Sequence, residues 1–110
     1  MRGTRILISK ADREVYDYAV KKYGAENQLY VAIEEMSELT KEICKSLRFS
    51  KPKFKRKVTE EMADCLIMFD QIKMIYNISD DDLEMWRLDK MVRLKDRLEL
   101  LPKFRGGADE

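Results

Sequence analysis

The residue types best suited to chemistry lie in two short stretches, Glu34-Glu35-Met36-Ser37-Glu38 and Glu61-Met62-Ala63-Asp64. On a helix, at about 100° per residue, Glu35 and Glu38 are roughly 60° apart and project from one side. Glu61 and Asp64 repeat that i, i+3 spacing between apolar neighbours. If the two helices pack together, these carboxylates converge. Each like-charged pair near 4 Å then repels by about 4 kcal/mol at an effective dielectric near 20, so a stable fold needs a compensating cation. All-oxygen donors without imidazole or thiolate select a hard ion, Mg²⁺ or Mn²⁺, over zinc or copper. A single glutamate at a helix rim is an ordinary solvated side chain. Two acidic pairs at matching spacing, each beside a helix's apolar face, are harder to obtain as surface decoration.

Absences narrow the field further. The chain has no histidine, which excludes Ser-His-Asp triads, Cys-His pairs, HExxH zinc sites and imidazole general bases. Catalysis must run on carboxylates, lysines, arginines or a metal. Cys44 and Cys65 are the only thiols, too few for a Cys-rich zinc cage, and both fall in apolar helical patterns that predict buried, reduced side chains. With 22 Lys+Arg against 21 Asp+Glu, composition makes no case for a polyanionic partner or a membrane surface. No apolar run approaches the roughly 18 residues of a membrane span, and the first residues lack a signal-like core, so a cytoplasmic protein is expected.

The elements that must position these residues are helical. Forty-five per cent apolar and 39 per cent charged residues, with four Gly and two Pro, predict one all-α domain over 1–110, a four-helix bundle-like arrangement with flexible tails at 1–8 and 103–110. Ser9 with Asp12 caps a first helix that runs through Tyr23 and stops at Gly24. Leu29, Ala32, Ile33, Met36, Leu39, Thr40, Ile43 and Leu47 set a second helix from about Glu26 to Leu47. Proline and dense positive charge predict a loop from Ser50 to Lys57. The third pattern, Val58 to Asn77, is apolar around nearly its full circumference, with Asp70 and Lys73 as the main charged interruptions, and predicts either a central helix or a subunit interface, of which the interface is favoured because three neighbours can hardly cover it. Ser79 with Asp82 caps a fourth helix, Asp80 to about Leu101, whose seam is Leu88, Met91, Leu94, Leu98 and Leu101.

The order Glu34-Glu35-x-x-Glu38, a gap of 22 residues, then Glu61-x-x-Asp64 resembles the EExxE…ExxD signature of the all-α nucleoside triphosphate pyrophosphohydrolases. That superfamily includes MazG, dimeric dUTPases, dCTP pyrophosphatases and phosphoribosyl-ATP pyrophosphohydrolase. The likeness spans about Tyr16 to Leu98 and is greatest to the short stand-alone MazG-like proteins of bacteria and phages. It implies Mg²⁺ ligation by Glu35, Glu38, Glu61 and Asp64, with Glu34, beside the cluster but not a ligand, as candidate general base. Gln28, about two turns before Glu35, is expected to face the nucleotide.

Lys90, Arg93 and Arg97 fall at i, i+3 and i+7 and form one cationic stripe, with Trp86 a turn earlier on the same side. The bland alternative is a solvated face with pairs such as Asp89 with Arg93. MazG-like proteins have a basic helix here resembling K-x-x-[KR]-N-x-x-R. Leu94 stands where the family often has Asn, and the other three marked positions match. The resemblance implies that the stripe holds the β and γ phosphates.

The basic stretch from Lys51 to Lys57 invites a nucleic-acid reading, but the chain is otherwise neutral and such loops are usually just solvated, so no nucleic-acid partner is expected. The expected activity is metal-dependent hydrolysis of a (d)NTP to the monophosphate and diphosphate by a homodimer or homotetramer that binds no membrane. Two other readings share the same residues. One is a non-catalytic helical interaction or regulatory module; the other is a phosphoribosyl-ATP pyrophosphohydrolase-like enzyme.

Overall fold

The computed structural model describes residues 8–49 and 53–99, in four α-helices and no strand among them. The expected tails, apart from Ile8, and the first residues of the basic stretch, 50–52, lie outside the described residues. Contacts divide the chain into two units, one ending at Ile78 and one beginning at Ser79. No helix among the described residues is long and apolar enough to cross a membrane.

Helix α1 (Lys10–Tyr23) begins where Ser9 accepts the Asp12 backbone N–H at 3.1 Å. It ends at Gly24, whose φ of +94° is open to glycine and strained for any other residue. Helix α2 (Ala25–Phe49) starts at once, and Asn27 ties the corner by donating to the Tyr23 carbonyl at 2.8 Å. Helix α3 (Lys53–Tyr76) closes with Asn77 at φ +55°: Ile78 N–H donates to Lys73 O and Asn77 N–H to Met74 O, the pair of bonds of a Schellman cap.

The first unit is a hairpin of α2 and α3 with α1 packed on both. The pairings Phe49 with Phe54, Glu35 with Cys65 and Gln28 with Gln71 run in opposite order along the two helices, which makes them antiparallel. Ala32, Cys65, Met68, Tyr16 and Phe54 form the apolar core. Beside them lie buried polar groups: Gln28 Nε2 donates to Gln71 Oε1 at 2.8 Å, Tyr16 Oη donates to Asp70 at 3.1 Å, and Lys73 sits 3.8 Å from Asp70. Every buried side-chain N and O among the described residues has a partner.

Three expectations change. Helix α3 begins at Lys53, so Lys53–Lys57, read as loop, is helical; Phe54 is buried against Phe49, and that burial holds the first turn despite its lysines. Asp70 and Lys73, read as interruptions of an apolar surface, face inward, while Leu66, Ile67 and Phe69 lie outward at 42, 45 and 48% exposure. Cys65 is buried as expected, but Cys44 is exposed, on a side of α2 turned away from its packing against α3.

The second unit contains α4 (Asp80–Arg97). Ser79 accepts from the Asp82 N–H at 3.0 Å, and Asp80, Asp81 and Asp82 occupy the first turn, where the helix dipole favours negative charge. The helix ends at Arg97, short of the expected Leu101, and none of its residues is buried.

Candidate metal centre

Antiparallel packing sets Glu35 of α2 opposite Glu61 and Asp64 of α3. One carboxylate oxygen from each of the three lies within 4.8 Å of the others. Glu35 and Glu61 are half-buried and Asp64 is exposed, so the cluster opens to solvent on one side.

Electrostatics follow from that crowding. The Glu35 carboxyl is held above its ordinary value by burial first, then by the charges of Asp64, Glu61, Glu38 and Glu34. Glu61 is raised by burial, then by Asp64, Glu38, Glu42 and Glu60. Among the described residues, the charged groups that shift these two carboxyls are all acidic, and Lys41 and Lys45 pair with Glu38 and Glu42 instead. Clustered carboxylate oxygens with excess charge fit a hard divalent ion such as Mg²⁺ or Mn²⁺, and they offer no soft donor to zinc or copper.

The other sequence-predicted residues are placed as follows. Glu38 is one turn beyond Glu35, exposed, and 3.7 Å from Lys41; it acts on Glu35 and Glu61 through its charge without joining the three-carboxylate cluster. Glu34 is exposed beside Glu35 and adds to the charge there. Gln28, expected to face a nucleotide, is instead buried with its amide paired to Gln71. In the second unit, Lys90 Nζ lies 5.8 Å from the Trp86 ring centroid, in cation–π geometry. Arg93 pairs with Asp89 at 2.8 Å. Arg97 ends the helix, where positive charge complements the dipole.

Glu42 was not among the candidates. It is buried, lies 3.7 Å from Lys45 and contributes to the raised Glu61 carboxyl. Its spacing, i+7 from Glu35 and i+4 from Glu38, is the signal that places it on the same helical face.

No protein-family model, curated protein or solved structure matches this chain. The chemistry of the site rests on the carboxylate geometry itself.

Proposed function

We propose that this chain is a metal-dependent nucleoside triphosphate pyrophosphohydrolase of the MazG-like type, converting a (d)NTP and water to the (d)NMP and diphosphate. The observation that carries this reading is the meeting of Glu35, Glu61 and Asp64 from two antiparallel helices within 4.8 Å. It joins the two acidic motifs whose order and spacing resemble that superfamily.

Glu35, Glu61 and Asp64 would hold Mg²⁺ or Mn²⁺, with Glu38 as the fourth carboxylate one turn away. When bound, the ion supplies Lewis-acid stabilisation of charge on phosphate oxygens. Glu34, next to the cluster and exposed, is the carboxylate assigned to take the proton of the attacking water. Lys90, Arg93 and Arg97 are assigned to the β and γ phosphates on charge and spacing. Gln28 has no substrate role in this scheme, since its amide is committed to Gln71.

The reading includes a cytoplasmic homodimer or homotetramer. Supporting assembly, Leu66, Ile67 and Phe69 of α3 and Ile33 and Ile43 of α2 are apolar and exposed within one chain, the kind of surface soluble proteins cover with a partner.

The test is diphosphate release from a panel of canonical and modified (d)NTPs with Mg²⁺, with Mn²⁺ and with EDTA. Metal-dependent formation of equal amounts of monophosphate and diphosphate is the expected result. Silence across the panel from folded protein would overturn the assignment and leave a binding role.

A further inference from the structure

Helix α1 is joined to the hairpin through one residue and anchored on it by one buried side chain. Of its 14 residues Tyr16 alone is buried; Ala19 and Val20 are half-buried and the rest are exposed. Gly24 is the single residue between α1 and α2. A helix of that length standing free in water is marginal, so α1 depends on docking for its helicity.

Beneath Tyr16 the hairpin presents charge. One oxygen of the Asp70 carboxylate accepts from the Tyr16 hydroxyl at 3.1 Å, and the other lies 3.8 Å from Lys73 Nζ, with all three side chains buried. Desolvating such a pair costs much of what its attraction returns. Lifting α1 rehydrates both groups, which offsets part of the cost of undocking the Tyr16 ring. Little apolar surface of α3 is added by the same step. Met62, Leu66, Phe69 and Lys73 recur at i, i+4, i+7 and i+11 along one stripe of α3, and the first three are already exposed while Lys73 is buried. Opening therefore lengthens that stripe by a charged turn. The hairpin meanwhile keeps contacts in which α1 takes no part, those of Gln28 with Gln71, Cys65 with Glu35 and Phe49 with Phe54.

We infer that α1 is a strap that opens and recloses on a hairpin that stays folded, hinged at Gly24 and latched by the Tyr16 hydroxyl on Asp70. The hinge needs a residue that can leave and regain an unusual backbone angle, and Gly24 at φ +94° is one. Opened, the strap uncovers Asp70 and Lys73; closed, it removes both from water. The device is independent of whether the carboxylate cluster is catalytic.

The experiment is amide hydrogen exchange of the full chain, read helix by helix by mass spectrometry across a urea series. Amides of α1 should exchange more slowly than a random coil but roughly tenfold or more faster than those of α2 and α3, with a shallower dependence on urea because the opening exposes less surface. Tyr16→Phe keeps the ring and removes the latch, and α1 exchange should rise roughly tenfold or more. Gln28→Leu strips a contact made wholly within the hairpin; exchange of α2 and α3 should rise while that of α1 stays within about twofold. One rate and one urea dependence for all three helices, or Gln28→Leu accelerating α1 as much as the hairpin, would overturn the separate opening. Unchanged α1 exchange in Tyr16→Phe would overturn the latch, and random-coil exchange of α1 in the parent would overturn the closed state.

Discussion

The Cys65 thiol donates to the Glu35 backbone carbonyl at 3.5 Å, from one of the most buried positions among the described residues. This contact ties α3 to the acidic motif of α2. It fixes which side chains meet there: Asp64 is the adjacent residue and Glu61 one turn earlier, so both are presented to Glu35. The same burial raises the Cys65 thiol above its ordinary value, reinforced by the charges of Glu35, Glu61 and Asp64.

The two thiols should therefore react on separate timescales. Cys44 is exposed and Cys65 is buried with its thiolate disfavoured. With a disulfide reagent near neutral pH, one thiol equivalent should be modified quickly and the second only after denaturant is added. Equal rates for both in folded protein would contradict the packing of α3 on α2.

The crowded carboxylates make a signed prediction about pH. Glu35 and Glu61 have folded-state values raised above the ordinary 4.5, so the native state holds more protons than the unfolded chain. Their contribution to stability is fully present below the unfolded value and is lost as pH rises through the folded one. In EDTA, Glu35→Gln should therefore unfold at higher urea than the parent at pH 7.5, and the gap should close as pH falls toward the ordinary glutamate value. A gap independent of pH would show that charge is not its cause. Adding Mg²⁺ should reverse the order, since the parent gains RT ln(1 + [L]/Kd), about 2.7 kcal/mol at a hundredfold excess over Kd.

Glu38 stands apart from the cluster, held by a weak restraint. Its pair with Lys41 at 3.7 Å is between exposed side chains, and such pairs are worth about 1 kcal/mol or less. Turning Glu38 toward a bound ion is therefore inexpensive. Glu38→Ala should weaken Mn²⁺ affinity by roughly tenfold or more and Asp64→Ala by at least as much, whereas Lys41→Ala should leave it within about twofold. Calorimetric titration checks all three, and parent-like affinity in Glu38→Ala would leave a three-carboxylate centre.

Local signals were the legible ones. Ser9, Gly24 and Ser79 each mark a helix end because capping depends on a few neighbouring residues. The i, i+3 acids were legible because helical geometry puts them on one face. What periodicity does not encode is which face of α3 turns inward. Met68 and Gln71 pack inside with Asp70 and Lys73, a choice made by their partners on α1 and α2. The helical start at Lys53 was hidden for a related reason: a lysine-rich run reads as solvated chain until the burial of Phe54 is known.

Gln28 shows the same effect at one residue. Its spacing from Glu35 is compatible with a ligand contact, yet its partner is 43 positions away in the chain. Gln28→Leu should strip Gln71 of a buried partner at a cost of about 1–3 kcal/mol, and Gln28→Leu/Gln71→Leu should recover part of that loss. Urea unfolding of the four cycle members measures this. A substrate contact would predict the opposite pattern, with a raised KM and little coupling to Gln71.

The outward side of the hairpin carries the remaining prediction. Leu66 follows Cys65 directly, so it points away from the interior and is 42% exposed, between similarly exposed Met62 and Phe69. Each apolar Å² left in water forgoes about 25 cal/mol, which favours covering this face with a second copy. In an isolated chain Leu66→Asp places a charge where water can reach it, and helicity should survive. In an assembly it buries a carboxylate, at a cost of several kcal/mol. Sedimentation across a protein dilution series should therefore show the parent as an oligomer and Leu66→Asp as a helical monomer, with Leu66→Met retaining the parent's mass. An unchanged mass for Leu66→Asp would move the interface elsewhere, and if the active site requires assembly, diphosphate release should fall in step with the oligomer rather than with helicity.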